Sequence, residues 1–385
     1  MLRFASFREP FFNLLNMFKS LGVHDVFVRA LSEHGITTPT EIQRVAMPKL
    51  LDEKVDIIAQ AQTGTGKTIA FAVPILQRIN PSDKRIQAVV LCPTRELCQQ
   101  LGKHFFKLTK YSEKVFVETV YGGEPIGKQI SRLRRPTQVI IATPGRLREL
   151  MELKAVDLSG IHQLVLDEAD EILAMGFRKD VDKILSKTND FRKIWLFSAT
   201  IPSSLQKMID DYIPKTAPKV RAQKNADIIN PMIEHQYLIC DKQEKNAMLV
   251  AFLRSMGAAR GIVFVRTKGD AQTLNDFLQK QEFKTDVIHG DLMQHEREKA
   301  LRGFVAKRAQ ILVATDMAAR GLDIDNLAYV VHYNLPDQPE FYTHRSGRTA
   351  RAGKRGLSLA FVTPADTKKF RFLKEKLVLD FMQVR

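Results

Sequence analysis

Residues 55–68 read VDIIAQAQTGTGKT, a short apolar β-branched segment followed by a glycine-rich turn that closes on lysine and threonine at the start of a helix. Strand, loop and helix in that order form a phosphate-binding loop, with Ala61 standing where the usual pattern opens on glycine. Gly64 and Gly66 let backbone amides wrap phosphate oxygens, Lys67 reaches the β and γ phosphates, and the Thr68 hydroxyl ligates Mg²⁺. Ala61, Gln62, Thr63 and Thr65 complete the cradle. The plainer reading, a glycine-rich turn, leaves the flanking strand and helix unexplained.

Outward from this loop, β-branched runs alternate with amphipathic stretches at Val55–Ala59, Ala88–Leu91, Val139–Ala142, Leu164–Leu166 and Ile194–Phe197, the rhythm of an α/β fold with a parallel sheet. It pauses over Pro214–Pro231, which holds three prolines and several lysines, and resumes at Ile262–Val265, Ile311–Ala314, Val330–Tyr333 and Leu357–Phe361. We expect an N-terminal extension over 1–16, a first domain over 17–218, a linker over 219–230 and a second domain over 231–385. The segment MFKSLGV from Met17 reads like a natural start, so residues 1–16 are expected to be dispensable or a mis-assigned start, with a short targeting segment as the alternative.

A chain of 385 residues is too long for one ordinary core, and 44% hydrophobic with 26% charged residues is the balance of a globular enzyme. Lys and Arg number 59 against 43 Asp and Glu, a net charge of +16 that attracts a polyanion without naming it. Cys92, Cys98 and Cys240 show neither metal-ligand nor disulfide spacing, which fits a reducing cytoplasm. No run approaches the roughly 18 to 20 apolar residues of a membrane span.

Two further clusters carry chemistry. In LVLDEAD, Leu164–Asp170, an apolar strand delivers adjacent carboxylates: Asp167 to hold the Mg²⁺ shell, Glu168 to orient and deprotonate a water. An acidic helix cap would explain this stretch if no phosphate loop preceded it. In HRSGRTARAG, His344–Gly353, Arg345, Arg348 and Arg351 recur every three residues, on one side if the stretch is helical. Arginine's planar fork suits a γ-phosphate, which favours Arg348 and Arg351 as fingers over a basic loop touching nucleic acid.

These motifs, in this order from about Phe18 to Thr363, resemble the DEAD-box RNA helicases, most closely their bacterial cold-shock branch. The resemblance implies two tandem RecA-like domains with ATP and Mg²⁺ as cofactors. It implies that GITTPTEIQ, Gly35–Gln43, reads adenine through the Gln43 amide while Phe18 stacks on the ring, and that Asp323, after Arg320 and Gly321, meets the ribose. RNA would be held by its backbone, with little sequence preference, at Pro93, Thr94, Arg95, Gly122, Gly123, Thr143, Gly145 and Arg146 in the first domain. In the second it would be held at Arg266, Thr267, Gln294, Arg297 and Thr315. For Thr94 and Thr143 helix capping is the plainer role, and both roles can coexist. Ser198, Thr200, Asp170 and His344 would couple hydrolysis to strand separation, and the protein would act as a monomer away from membranes.

Two departures stand out. Ser346 and Ala350 occupy positions where many members carry a bulkier apolar residue and a glycine. We expect Ala350 to be tolerated unless its position needs a positive φ. The chain also ends soon after the second domain, at KLVLDFMQVR, without the basic or folded extension many relatives have. The expected activity is local unwinding of short RNA duplexes coupled to ATP hydrolysis. The alternatives are an ATP-gated RNA clamp that rarely turns over, a DNA-translocating helicase of the same superfamily, and an unrelated P-loop ATPase.

Overall fold

The computed structural model describes residues 17–52, 55–62, 64–222, 230–319, 322, 324, 327–350, 354–377 and 379–384. The chain divides into two compact units, Met1–Asn225 and Ala226–Arg385. The expected extension over 1–16 lies outside the described residues.

In the first unit β1 (Ile57–Gln60), β2 (Ala88–Leu91), β3 (Val117–Val120), β4 (Val139–Ala142), β5 (Gln163–Leu166), β6 (Lys193–Ser198) and β7 (Lys219–Arg221) form one sheet in the order β3-β4-β2-β5-β6-β1-β7. Every pairing is parallel. Helices cover both faces, so AVVL, VIIA and QLVL at β2, β4 and β5 are buried throughout instead of alternating with polar residues. The two apolar layers are centred on Phe71, Phe105 and Trp195 on one face and on Leu147, Ile184 and Leu196 on the other.

The second unit repeats the plan. β8 (Ile233–Ile239), β9 (Gly261–Val265), β10 (Thr285–Ile288), β11 (Ile311–Thr315), β12 (Tyr329–His332), β13 (Gly356–Val362) and β14 (Phe381–Val384) lie in the order β10-β11-β9-β12-β13-β8-β14, again all parallel. Counted from the first strand of each unit, the two orders are the same. Among the described residues no helix is long and apolar enough to cross a membrane.

One boundary differs from expectation. Lys219–Arg221, expected to open the linker, pairs with β1 as the edge strand of the first sheet. The segment near the C-terminus likewise adds β14 to the edge of the second. Edge strands bury one side at most, so their composition lacks the continuous apolar run that marks β2 or β4.

Ala350 does take a positive φ, +55°, which costs a non-glycine residue about 1–2 kcal/mol. Its methyl is buried in an apolar cluster with Ile233 and Tyr342, which returns about 0.8 kcal/mol, and alanine avoids the roughly 0.5–1 kcal/mol entropy cost of glycine. The terms nearly cancel, so Ala350→Gly is expected to shift the stability of the second unit by less than about 1 kcal/mol in denaturant unfolding. Ala350→Val, β-branched in the left-handed region, should cost more than about 2 kcal/mol.

The second unit also buries two histidines. Burial lowers His235 to about 4. Burial, followed by the charge of Arg345 and of His235, holds His332 well below its ordinary value. Both are neutral when folded, while the unfolded chain protonates near 6.5, so their stability is complete above that pH and is lost as pH falls toward 4. Acidification from pH 7 to 5 is expected to cost the second unit about 2 kcal/mol through His235, with a further loss in the same direction from His332. Trp195, the single tryptophan, reports on the first unit, so this loss should appear in far-UV dichroism ahead of tryptophan fluorescence.

Candidate functional site

The loop after β1 enters the helix Lys67–Arg78 through Gly64 and Gly66, at φ +78° and +92°. A Cβ on Gly66 would lie 2.4 Å from Gln43 Nε2 and 2.9 Å from Thr40 Oγ1, so glycine is required by contact as well as by conformation. Gln43 is buried; its Nε2 donates to Gly66 O at 3.0 Å and its Oε1 accepts from Thr40 N at 2.9 Å. The element expected to read adenine and the phosphate loop are thus joined by hydrogen bonds through Gln43. Thr65 Oγ1 donates to Gln62 O at 2.7 Å within the loop. Thr63 lies outside the described residues.

Phe18 is buried in this structure. The ring expected to stack on adenine is only 1% exposed and belongs to the apolar cluster with Val23, Phe27 and Leu31. Its carbonyl accepts from Leu21 N and Val23 N in the turn that leads into the helix Asp25–Glu33.

Lys67 is buried, and its ammonium makes no hydrogen bond among the described residues. Across from it, at the end of β5, burial pushes the Asp167 carboxyl up to about 7 against the pull of the Lys67 charge. A desolvated cation beside a desolvated carboxylate is a costly pair unless a charged group and a metal complete it. The lysine, the glycine cradle and the carboxylate therefore fit a nucleotide phosphate with Mg²⁺.

Glu168 is half-buried and opens the helix Ala169–Ala174 in the left-handed region, φ +51° and ψ +51°. Such backbone is sparsely populated for glutamate and is held by its surroundings. Part of that hold is Asp170, whose Oδ2 accepts from Thr200 N at 2.9 Å and Thr200 Oγ1 at 2.8 Å. Ser198 Oγ accepts from Asp170 N at 3.2 Å and donates to Thr200 O at 2.7 Å. Of the four expected coupling residues, three are joined directly; His344 belongs to the other unit.

The expected RNA contacts of the first unit follow the ends of β2, β3 and β4, which are adjacent in the sheet. Thr94 does cap its helix, its Oγ1 accepting from Leu97 N at 3.2 Å, whereas Thr143 stands at a helix N-cap with no cap bond from its side chain. The Arg95 guanidinium lies 4.8 Å from the Tyr121 ring centroid, and a Cβ on Gly123 would come within 3.1 Å of its Nη1. Arg146 Nη1 donates to Glu124 O at 2.9 Å. Pro93 directly precedes Thr94, and Gly145 is the second residue of the helix Pro144–Glu152 that Thr143 precedes. Tyr121 was not singled out in the sequence; its only signal is its place before Gly122 and Gly123.

In the second unit Thr267 closes a capping box with Asp270 at the helix Lys268–Lys280, and the backbone N–H of Arg266 donates to Asn334 Oδ1 at 3.1 Å. Gln294 opens the helix Gln294–Val305, and Arg297 Nη2 donates to Ala318 O at 2.8 Å, three residues beyond Thr315. Arg345 and Arg348 do not share a helical face, because the helix Pro339–Ser346 stops short of Arg348. Arg345 points inward, 3% exposed, and forks onto Asp316 at 2.5 and 2.6 Å. Arg348 Nη1 donates to Leu322 O at 2.7 Å. Arg351, Arg320, Gly321 and Asp323 lie outside the described residues.

A parallel sheet whose strand ends carry a phosphate loop, a strained carboxylate turn and a row of hydroxyls and arginines, followed by a second sheet of the same order, defines the class of tandem RecA-like P-loop proteins. Residues 40–208 match the DEAD/DEAH box helicase family and residues 244–353 the helicase conserved C-terminal domain. The chain is 37% identical over 353 residues to the DEAD-box ATP-dependent RNA helicase CshA of Bacillus cereus, covering 92% of this chain and 66% of that protein. It is 37% identical to RhpA of Helicobacter pylori, covering 94% and 72%. Yeast (S. cerevisiae) Dbp5 bound to RNA and ADP BeF3 superposes with a TM-score of 0.87 at 29% identity, covering 95% of each chain. The chain belongs to the DEAD-box helicase family.

The contact at Gly66 yields a direct test. Gly66→Ala must displace the Gln43 amide or leave its left-handed backbone, and is expected to weaken ATP binding by about tenfold or more in a fluorescent-nucleotide titration.

Proposed function

We propose that the chain is an ATP-dependent RNA helicase that binds single-stranded RNA with both units and locally separates short duplexes as it hydrolyses ATP. The observation that carries this reading is the order of neighbours in the first sheet. The RNA-facing turns follow β3, β4 and β2; the phosphate loop follows β1; and between them β5 and β6 carry the carboxylate turn and Ser198–Thr200, bonded to each other through Asp170.

Lys67 and the amides of residues 61–68 would bind the phosphates, and Thr68 with Asp167 would hold Mg²⁺. Bound there, the metal neutralises charge on the phosphates. Gln43 retains one amide hydrogen and one lone pair beyond its two internal bonds, enough to read an adenine edge. Glu168 would accept the proton of the attacking water, and Arg348 would stabilise charge on the transferred phosphoryl group. Arg351, for the same charge, and Asp323, for the ribose, are assigned from the motif alone. Hydroxyls and backbone amides at Thr94, Gly123, Thr143, Thr267 and Thr315, with Arg95, Arg146, Arg266, Gln294 and Arg297, would hold phosphate and ribose without selecting bases. The three buried free thiols fit action in a reducing cytoplasm.

Because the nucleotide and RNA groups are divided between two folded units, each ligand should favour the arrangement the other needs, and the coupling must be reciprocal. The deciding experiment is steady-state ATPase with and without single-stranded RNA, and with DNA of equal length. Wild type is expected to be stimulated strongly by RNA and weakly by DNA, with Glu168→Gln losing turnover by about a hundredfold or more. RNA binding that tightens with a non-hydrolysable ATP analogue but without turnover would establish the clamp instead. Turnover indifferent to RNA would overturn the reading.

A further inference from the structure

The interior of the second unit contains a polar chain where apolar packing would be expected. His332 at the end of β12, Ser346 at the end of its helix and Ser358 in β13 are wholly buried. His332 Nε2 lies 3.0 Å from Ser358 Oγ and 3.2 Å from Ser346 Oγ, and the two hydroxyls are 2.9 Å apart. The imidazole stacks on Tyr342, centroids 4.2 Å apart and planes 8° from parallel. Tyr342 OH reaches Ser358 Oγ at 3.2 Å and His235 Nδ1 at 2.9 Å.

The direction of this chain is fixed by its last member. Arg345 Nη1 lies 3.4 Å from His332 Nδ1, and a guanidinium can only donate, so Nδ1 accepts and the ring proton sits on Nε2, facing the serines. Burial and the Arg345 charge keep the imidazole neutral, which leaves that lone pair available. The remaining Arg345 donors reach Asp316 Oδ1 and Oδ2 and, from Nη1, Asn334 O at 2.7 Å. The guanidinium also lies 5.0 Å from the Phe264 ring centroid, a contact without direction in the ring plane, so the orientation of its fork is set by its hydrogen-bond acceptors.

Asp316 follows Thr315 directly and opens the short helix Asp316–Ala319, whose Ala318 carbonyl accepts from Arg297. Ser346 stands where a bulkier apolar residue is common in the family, and here its hydroxyl serves His332. We propose that His332, held by Ser346 and Ser358, is a positioning residue that sets the Arg345 fork on Asp316 and so fixes Thr315–Ala319 for contact with RNA. The last clause rests on the RNA reading above; the positioning itself does not.

His332→Phe keeps the ring over Tyr342 and removes both the acceptor and the donor. Hydrogen exchange followed by mass spectrometry on the full chain is expected to show residues 315–319 exchanging about tenfold faster while β12 and β13 keep their protection. RNA affinity should fall about fivefold, with the ATP KM in the absence of RNA unchanged. His332→Gln, whose amide can accept and donate, should recover most of the protection. Unchanged exchange at 315–319, or equal loss across the whole unit, would overturn the proposal in favour of a packing role. Should His332→Phe not fold, Ser346→Ala removes one hydroxyl and is expected to speed exchange at 315–319 about threefold; no change there overturns the proposal equally. A wild-type chain that does not bind RNA would defeat the RNA reading while the exchange result still decides the positioning role.

Discussion

In a parallel sheet every strand ends on the same edge, and each is followed by a crossover that begins there. Backbone N–H groups without intrahelical partners collect along that edge, as do side chains released from the core. Sheet order then decides which of them are neighbours. In this chain β1, β6, β5, β2 and β4 are adjacent, so the turns after them form one row running from the phosphate loop through the carboxylates to the hydroxyls of Thr94 and Thr143, the proposed RNA contacts. The sequence distance between Thr68 and Thr143 disappears in the fold. Asp170 and Thr200 join the turns after β5 and β6, which lie between the phosphate loop and the turns after β2 and β4.

Strain is placed along the same edge. Glu168 is a non-glycine residue in left-handed backbone within the first unit's carboxylate turn, and its conformation turns the strand sharply into the helix Ala169–Ala174. The bonds from Thr200 and Ser198 to Asp170 hold the first turn of that helix, so the strained residue is flanked by satisfied ones. Ala350 uses another solution, with its methyl buried where the backbone is unfavourable.

Much of this was legible in the sequence, and the reasons differ by element. Core strands such as Ala88–Leu91 and Val139–Ala142 are buried on both faces and announce themselves as apolar runs. β3, β7, β10 and β14 do not, since sheet edges tolerate polar residues such as the Glu118 and Thr119 of β3. The phosphate loop was readable because its glycines and lysine answer to local geometry. The inward turn of Arg345 was not, because three arginines at equal spacing look alike until the helix end at Ser346 separates them. Phe18 shows the opposite limit: an aromatic residue in a recognisable place says nothing of which surface covers its faces.

The second sheet shows why equal topology does not give equal chemistry. Its β8 occupies the place of β1, and Lys245, like Lys67, is the buried first residue of the helix that follows. Between strand and helix, however, lies Cys240–Glu244, CDKQE, with carboxylates at Asp241 and Glu244 and no glycine to let amides wrap an anion. The Lys245 ammonium lies 4.6 Å from the Tyr333 ring centroid, so an aromatic face stands where a phosphate would be needed. Burial lowers its pKa in that setting. One fold thus appears twice in the chain, but the loop chemistry that recognises a nucleotide phosphate is present after β1 alone among these two strands.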